Sequence, residues 1–203
     1  FDVLKELGFS LGDYSTRISN RKILSGLIQT VKLADTSILG DIELVVFRAI
    51  DKLDRLGLEG VKNLLAKGRT DSSGDFTEGA NLSAYQIDTI ISFLKITNDD
   101  PYKTLDEMKY LIGDSEIGRQ GLSELSNITD TLLLKDISNI SFKIDPSVVR
   151  GLAYYTGTVF ETELSTPTRS LGSISGGGRY DDLVSRFTGQ KVPSTGVSIG
   201  IDR

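Results

Sequence analysis

Apolar side chains recur along this chain at two spacings, and the switch between them divides it. Phe1–Leu7 carries its apolar residues at intervals that suit the end of an amphipathic helix, with Gly8 as its stop. Tyr14–Ser19 alternates and is β-rich, which predicts a strand, and Asn20 then caps a helix over Lys22–Leu33. From Asp41 the helical period takes over: Ile42, Leu44–Phe47, Ile50, Leu53 and Leu56 recur before Gly57. Glu59–Lys67 predicts a further short helix, 70–79 a polar glycine-containing loop, and Ser83 the cap of a helix over Ala84–Leu94. Two more helices follow the break at Thr97–Pro101, over Thr104–Leu111 and Gly121–Leu134.

After Leu134 the period drops to two. Ile140–Asp145, Thr158–Leu164, Ser173–Ser175 and Gly196–Ile201 predict strands, with a helix over Tyr180–Phe187 as the one long connection. Strands joined by short turns favour an antiparallel sheet. The strand signal thus lies in 1–40 and 113–203, while 41–112 reads as helical throughout. The economical architecture is α+β: an antiparallel sheet flanked by helices and interrupted by an all-helical insertion.

Composition narrows the chemistry. With 38% apolar and 25% charged residues over 203, the chain is an ordinary globular one, long enough to bury a sizeable core. No apolar run reaches bilayer length and Phe1–Phe9 is not a signal sequence, which points to the cytosol. Cysteine and histidine are both absent, so thiolate chemistry, the usual general base and the commonest metal ligands are excluded. The net charge of −5 argues against broad nucleic-acid binding; residues 41–112 hold 13 acids against 9 bases, whereas 150–203 is slightly basic and can receive an anion.

Candidate binding residues concentrate in that last part. Arg150, before Gly151, can grip a carboxylate or phosphate bidentately; its alternative is an ion pair with Asp145 or Glu161. In a strand Tyr154 and Tyr155 point to opposite faces, whereas a turn at Gly157 lets both reach one pocket. Gly176, Gly177 and Gly178, at the end of a predicted strand, do not match a phosphate loop. They suggest a ligand crossing bare backbone near Arg179 and Tyr180, or else a tight hairpin with positive φ. Gly196–Ile201 leaves a floor of small residues, and Arg203 follows it. Asp181 and Asp182 are explained by the dipole of the helix they open.

In this order, the run Arg-Gly-Leu-Ala-Tyr-Tyr-Thr-Gly-Thr-Val-Phe-Glu over 150–161, Gly176–Leu183 and Gly196–Arg203 resemble histidyl-tRNA synthetase, a class II aminoacyl-tRNA synthetase. The first run is similar to the family's histidine-specific motif and the last to class motif 3. Tyr14–Ile18 with Asn20-Arg-Lys resembles the segment after motif 2. Ala153 stands where many relatives carry an acid.

The resemblance implies a class II catalytic core in which Arg150 holds the α-phosphate and the histidine carboxylate and stabilises charge as the adenylate forms. Tyr154 and Tyr155 would contact histidine, Tyr180 its imidazole, Gly176–Gly178 would floor the pocket, and Arg203 would bind the ATP γ-phosphate. It further implies an insertion facing the tRNA acceptor arm and a cytoplasmic homodimeric parent acting on histidine, ATP and histidine tRNA. Magnesium would arrive with the nucleotide, with no metal site made by protein alone. Two rivals are a histidine-sensing regulatory subunit of ATP phosphoribosyltransferase and a non-catalytic tRNA-binding module. Arg150 and Arg203 together with the Tyr-Tyr-Thr-Gly run favour the synthetase over the first, and the acid excess of 41–112 gives no support to the second. Motifs 1 and 2 and the anticodon-binding domain find no counterpart, so the chain is expected to be an internal fragment of the catalytic domain. The 203-residue chain by itself is therefore expected to show no histidine-dependent ATP–pyrophosphate exchange, and robust exchange would refute that expectation.

Overall fold

Strand β1 (Tyr14–Asn20) is the axis of the main sheet. It pairs in parallel with β4 (Phe142–Ile144) on one side and antiparallel with β5 (Thr158–Leu164) on the other. Antiparallel pairing continues through β6 (Ser173–Arg179) to β7 (Thr195–Ile199), giving the order β4-β1-β5-β6-β7. The α+β class is as expected, but the sheet is mixed. All of the helices between β1 and β4 form the crossover that a parallel pair requires, whereas the antiparallel strands β5, β6 and β7 follow with one helix among them, between β6 and β7. This computed structural model describes residues 1–31, 39–149, 151, 154–165, 172–190 and 192–200, the side chains of 39–41 and 186 excepted.

Alternation along β1 sorts the two sheet faces. Tyr14, Thr16 and Ile18 are buried, and Ile18 joins Phe142, Ile144 and the inner edge of Phe160 under the helices. Ser15 and Arg17 point to the opposite face. Helices α2 (Arg21–Thr30) and α7 (Glu116–Leu134) cover the first face, with Ile23, Leu24, Leu27, Ile28 and Leu125 buried at helical spacing. They cross where both lack side chains: a Cβ on Gly26 would lie 2.5 Å from the Gly118 Cα, and one on Gly121 2.7 Å from Ile23. Helix α7 begins earlier than the expected Gly121, under a Ser115 cap.

The segment from α3 (Leu39–Ile50) onward is largely helical. Its first helix stops at Ile50 and α4 (Leu53–Leu65) resumes, with Gly57 kinked at φ 64°. One departure from the helical reading is a hairpin, β2 (Gly68–Thr70) and β3 (Phe76–Glu78), where a loop was expected. Its turn is closed by Asp71 Oδ1, which accepts from the Ser73 and Asp75 N–H groups. The Ser83 cap of α5 (Ala84–Leu94) is as expected and forms a full capping box with Gln86. After it α6 (Pro101–Ile112) buries Met108 and Ile112 in the same cluster as Ile18, Phe47 and Leu125. Helix α1 (Asp2–Glu6) sets Leu4 against Tyr14 and Ile174. Among the described residues no helix is long and apolar enough to cross a membrane.

Asn20 joins these parts. Its Oδ1 accepts from the Lys22 N–H as the cap of α2, while its Nδ2 donates to Glu124 of α7 at 2.7 Å and to Thr158 of β5 at 3.2 Å. The residue is only 1% exposed. Asn20→Ala is expected to cost about 2 kcal/mol through the lost cap and the lost hydrogen bonds to Glu124 and Thr158, lowering the melting temperature by roughly 4–8 °C. Asn20→Asp keeps the cap but sets a second carboxylate against Glu124, so its loss in chemical denaturation should be greater at neutral than at mildly acid pH.

Candidate functional site

Of the residues singled out in the sequence, Tyr154, Tyr155, Tyr180, Gly176 and Gly178 meet on the sheet face that the main helices leave open. Gly151, at φ 70°, starts a turn in which its carbonyl accepts from the N–H groups of both Tyr154 and Tyr155, at 3.0 and 3.1 Å. The pair therefore lies on a turn that precedes β5, free of strand alternation, and both rings line one cleft. Their centroids are 4.3 Å apart and the planes are tilted by 46°. Tyr155 is buried with Val148 and Val159, while Tyr154 remains 42% exposed.

The cleft occupies about 400 Å³ and is lined by Tyr154, Tyr155, Glu161, Ser173, Gly176 and Ser198, among others. The three glycines run along the body of β6, paired with β5 on one side and β7 on the other, and none has positive φ. That corrects the expectation of a strand end or hairpin, and the reason is close approach. A Cβ on Gly178 would lie 2.9 Å from the Tyr155 ring, and one on Gly196 would lie 2.3 Å from the Tyr180 hydroxyl. Each tyrosine rests on bare backbone. Gly176, cross-strand from Glu161, opens the remaining floor. Gly177 faces the other way, toward Phe160, so only its backbone belongs to the cleft. Tyr180, capping α8 (Asp181–Thr188), brings its ring to 6.4 Å from Tyr155.

Charge enters the floor from β1. Arg17 reaches Glu163 at 2.7 Å, Glu161 at 3.4 Å and Asp145 at 3.6 Å. The two acids considered as partners for Arg150 thus both engage Arg17. Among the described residues one guanidinium gathers three carboxylates, and Glu161, 7% exposed, lies in the cleft wall. Arg150 and Arg203 lie outside the described residues. Among the described residues no three His, Cys, Asp or Glu gather as metal ligands.

Sequence reading missed two contributors. Glu161 entered it only as an ion-pair partner, because a single acid in an alternating strand carries no signal of which face it takes. Asp181 was assigned to the helix dipole, yet it also accepts from the Ser194 N–H at 2.9 Å and from Arg179 at 2.8 Å, tying α8 to the start of β7. Burial opposes its charge, but those bonds hold its carboxyl below the ordinary value. Burial, followed by a hydrogen bond with Tyr154, pushes the Tyr155 phenol well above the usual range.

An aromatic wall and a bare floor with polar groups at one end suit a small planar polar molecule. Comparison with known proteins gives that geometry a context. The sequence model of the family described as histidyl-tRNA synthetase matches residues 10–203. A histidine–tRNA ligase from Dinoroseobacter shibae is 49% identical over 98% of the chain, and one from a Jannaschia species is 48% identical over all of it. A crystal structure of histidyl-tRNA synthetase from Nostoc sp. PCC 7120 superposes with a TM-score of 0.81 at 32% identity, covering 99% of the chain and 43% of that protein. The chain spans about 42% of the length of the curated relatives it matches.

The raised Tyr155 phenol sets a pH dependence. A group whose folded value lies above its ordinary 10.0 contributes fully below that pH and less as the pH rises toward the folded value. Thermal melts are expected to show an alkaline loss of stability in the native chain that is reduced in Tyr155→Phe; identical alkaline limbs would contradict the assignment.

Proposed function

Because this chain belongs to the histidyl-tRNA synthetase family, we propose that its tyrosine-walled cleft receives histidine within the active site of a histidine–tRNA ligase. The remainder of that site comes from sequence that the relatives carry beyond the matched region. The observation that carries the reading is the convergence of Tyr154, Tyr155 and Tyr180 above the glycines of β6 and β7. Tyr154 and Tyr155 contact the histidine through their rings and hydroxyls, and Tyr180 helps to recognise its imidazole. Gly176 and Gly178 form the floor, with the backbone of Gly177 between them.

In this reading a histidine carboxylate oxygen attacks the α-phosphate of ATP, pyrophosphate departs, and the adenylate then passes its acyl group to the 3′ end of the tRNA. Arg150 bridges carboxylate and α-phosphate and meets the charge that grows in the transition state. Arg203 holds the γ-phosphate, and magnesium enters bound to the nucleotide. Positioning and electrostatics suffice for this chemistry, which suits a chain with no histidine or cysteine.

Residues 1–40 and 113–203 make up the catalytic core and 41–112 the insertion that approaches the acceptor arm. The full-length protein works as a cytoplasmic homodimer. The ligase names of the relatives at 48–49% identity favour this activity over the regulatory subunit. In a full-length protein carrying this sequence, Tyr155→Phe should raise the KM for histidine more than that for ATP in pyrophosphate exchange. The opposite order would mean that the cleft is not the amino-acid pocket.

A further inference from the structure

The turn that carries the two tyrosines has few ways to satisfy its own backbone. Gly151 takes the Tyr154 and Tyr155 N–H groups, and the Arg179 carbonyl takes that of Thr156. The carbonyls on the turn's inner side go to a single residue: Arg21, first in α2, donates its Nη1 to the Tyr155 carbonyl at 2.9 Å and its backbone N–H to the Gly157 carbonyl at 3.0 Å. A partly buried carbonyl without a donor is costly, so this residue decides where the turn sits.

The same guanidinium lies over the Phe47 ring of α3, 5.1 Å from its centroid. Phe47 is buried, hence a fixed platform. One turn further on, Ser25 of α2 donates to Glu43 of α3, so the two helices meet antiparallel through matched contacts, 21 with 47 and 25 with 43. A guanidinium can stack on a ring through its face while donating through its edge, which an ammonium cannot do.

We propose that Arg21 is the positioning residue of the tyrosine wall, and that its stacking on Phe47 makes the placement of Tyr155 depend on the seating of α3. Displacement of the helical segment by a bound partner is then felt in the cleft, through one side chain and without any contact of its own with the ligand. The consequence for histidine rests on the ligase reading above; the positioning itself does not.

Two measurements separate those claims. In the chain labelled at its tyrosine rings, the Tyr155 resonance is identified by its loss in Tyr155→Phe, and Arg21→Met and Phe47→Leu should each shift or broaden it, Arg21→Lys less so. An unmoved resonance in Arg21→Met overturns the positioning role, and one unmoved in Phe47→Leu alone overturns the coupling to α3. In the full-length protein Arg21→Met should raise the histidine KM about tenfold, the size of one charge-assisted hydrogen bond, with ATP KM little changed and the melting temperature lowered by no more than the loss of that one bond. Losses in kcat, both KM values and melting temperature together would make Arg21 merely structural and overturn the proposal. A moved resonance in a protein whose native form lacks histidine-dependent exchange upholds the positioning and rejects only the ligase reading.

Discussion

A phenol ring can lie against a β-strand only where the strand offers no side chain, and Tyr155 meets that condition at Gly178. Much of the candidate site depends on this contact. It fixes glycine at the position cross-strand from Val159, and it draws the turn 154–157 down onto the sheet. Tyr154 is thereby held beside its neighbour rather than on the opposite face. Tyr180 repeats the arrangement one strand over, above Gly196. Two aromatic rings standing on two bare strands leave a gap whose floor is peptide backbone. Such a floor is flat, and its shape cannot be altered by a rotamer change.

The charge beneath that floor has a different logic. Arg17 with Glu161, Glu163 and Asp145 is a partly buried network, and burial of such a network is weak evidence of stabilisation. Apolar residues on this face would pack at lower desolvation cost. What the network supplies is a fixed set of charges at one end of the cleft, in surroundings where solvent screens them less than at the surface. The opposite face of the same strands shows the contrast: Thr16 and Thr162 satisfy each other there by a hydroxyl pair at 3.0 Å and carry no charge.

Legibility followed locality. Asn20 and Ser83 are caps whose chemistry lies within three residues, and both were evident in the sequence. The amphipathic helices and the alternation of β1 and β5 were evident for the same reason. The parallel β1–β4 pair was not, because it joins residues on either side of the whole helical segment and no local pattern encodes direction. The glycines of β6 were misplaced to a strand end because a propensity argument counts them against a strand. Their requirement comes from rings that arrive from elsewhere in the chain. The hairpin at 68–78 was hidden likewise, its strands being three residues each. The roles of Arg150 and Arg203 rest on motif resemblance, since both lie outside the described residues.

The helical segment is not a separate body laid beside the sheet. Phe47, Phe93, Met108 and Ile112 share one core with Ile18, Leu125 and Phe142, so moving the segment means repacking side chains that also support β1. Close-packed interiors transmit such shifts over short distances rather than absorb them. Between that core and the tyrosine turn stands the β1–α2 joint with its two consecutive polar residues. Asn20 ties the joint to α7 and β5, and Arg21 ties it to α3 and the tyrosine turn. A strand end that must cap a helix, donate to a carboxylate and hold a turn has little freedom in residue choice. That constraint places Asn20 and Arg21, remote from the cleft in sequence, among the residues that set its shape.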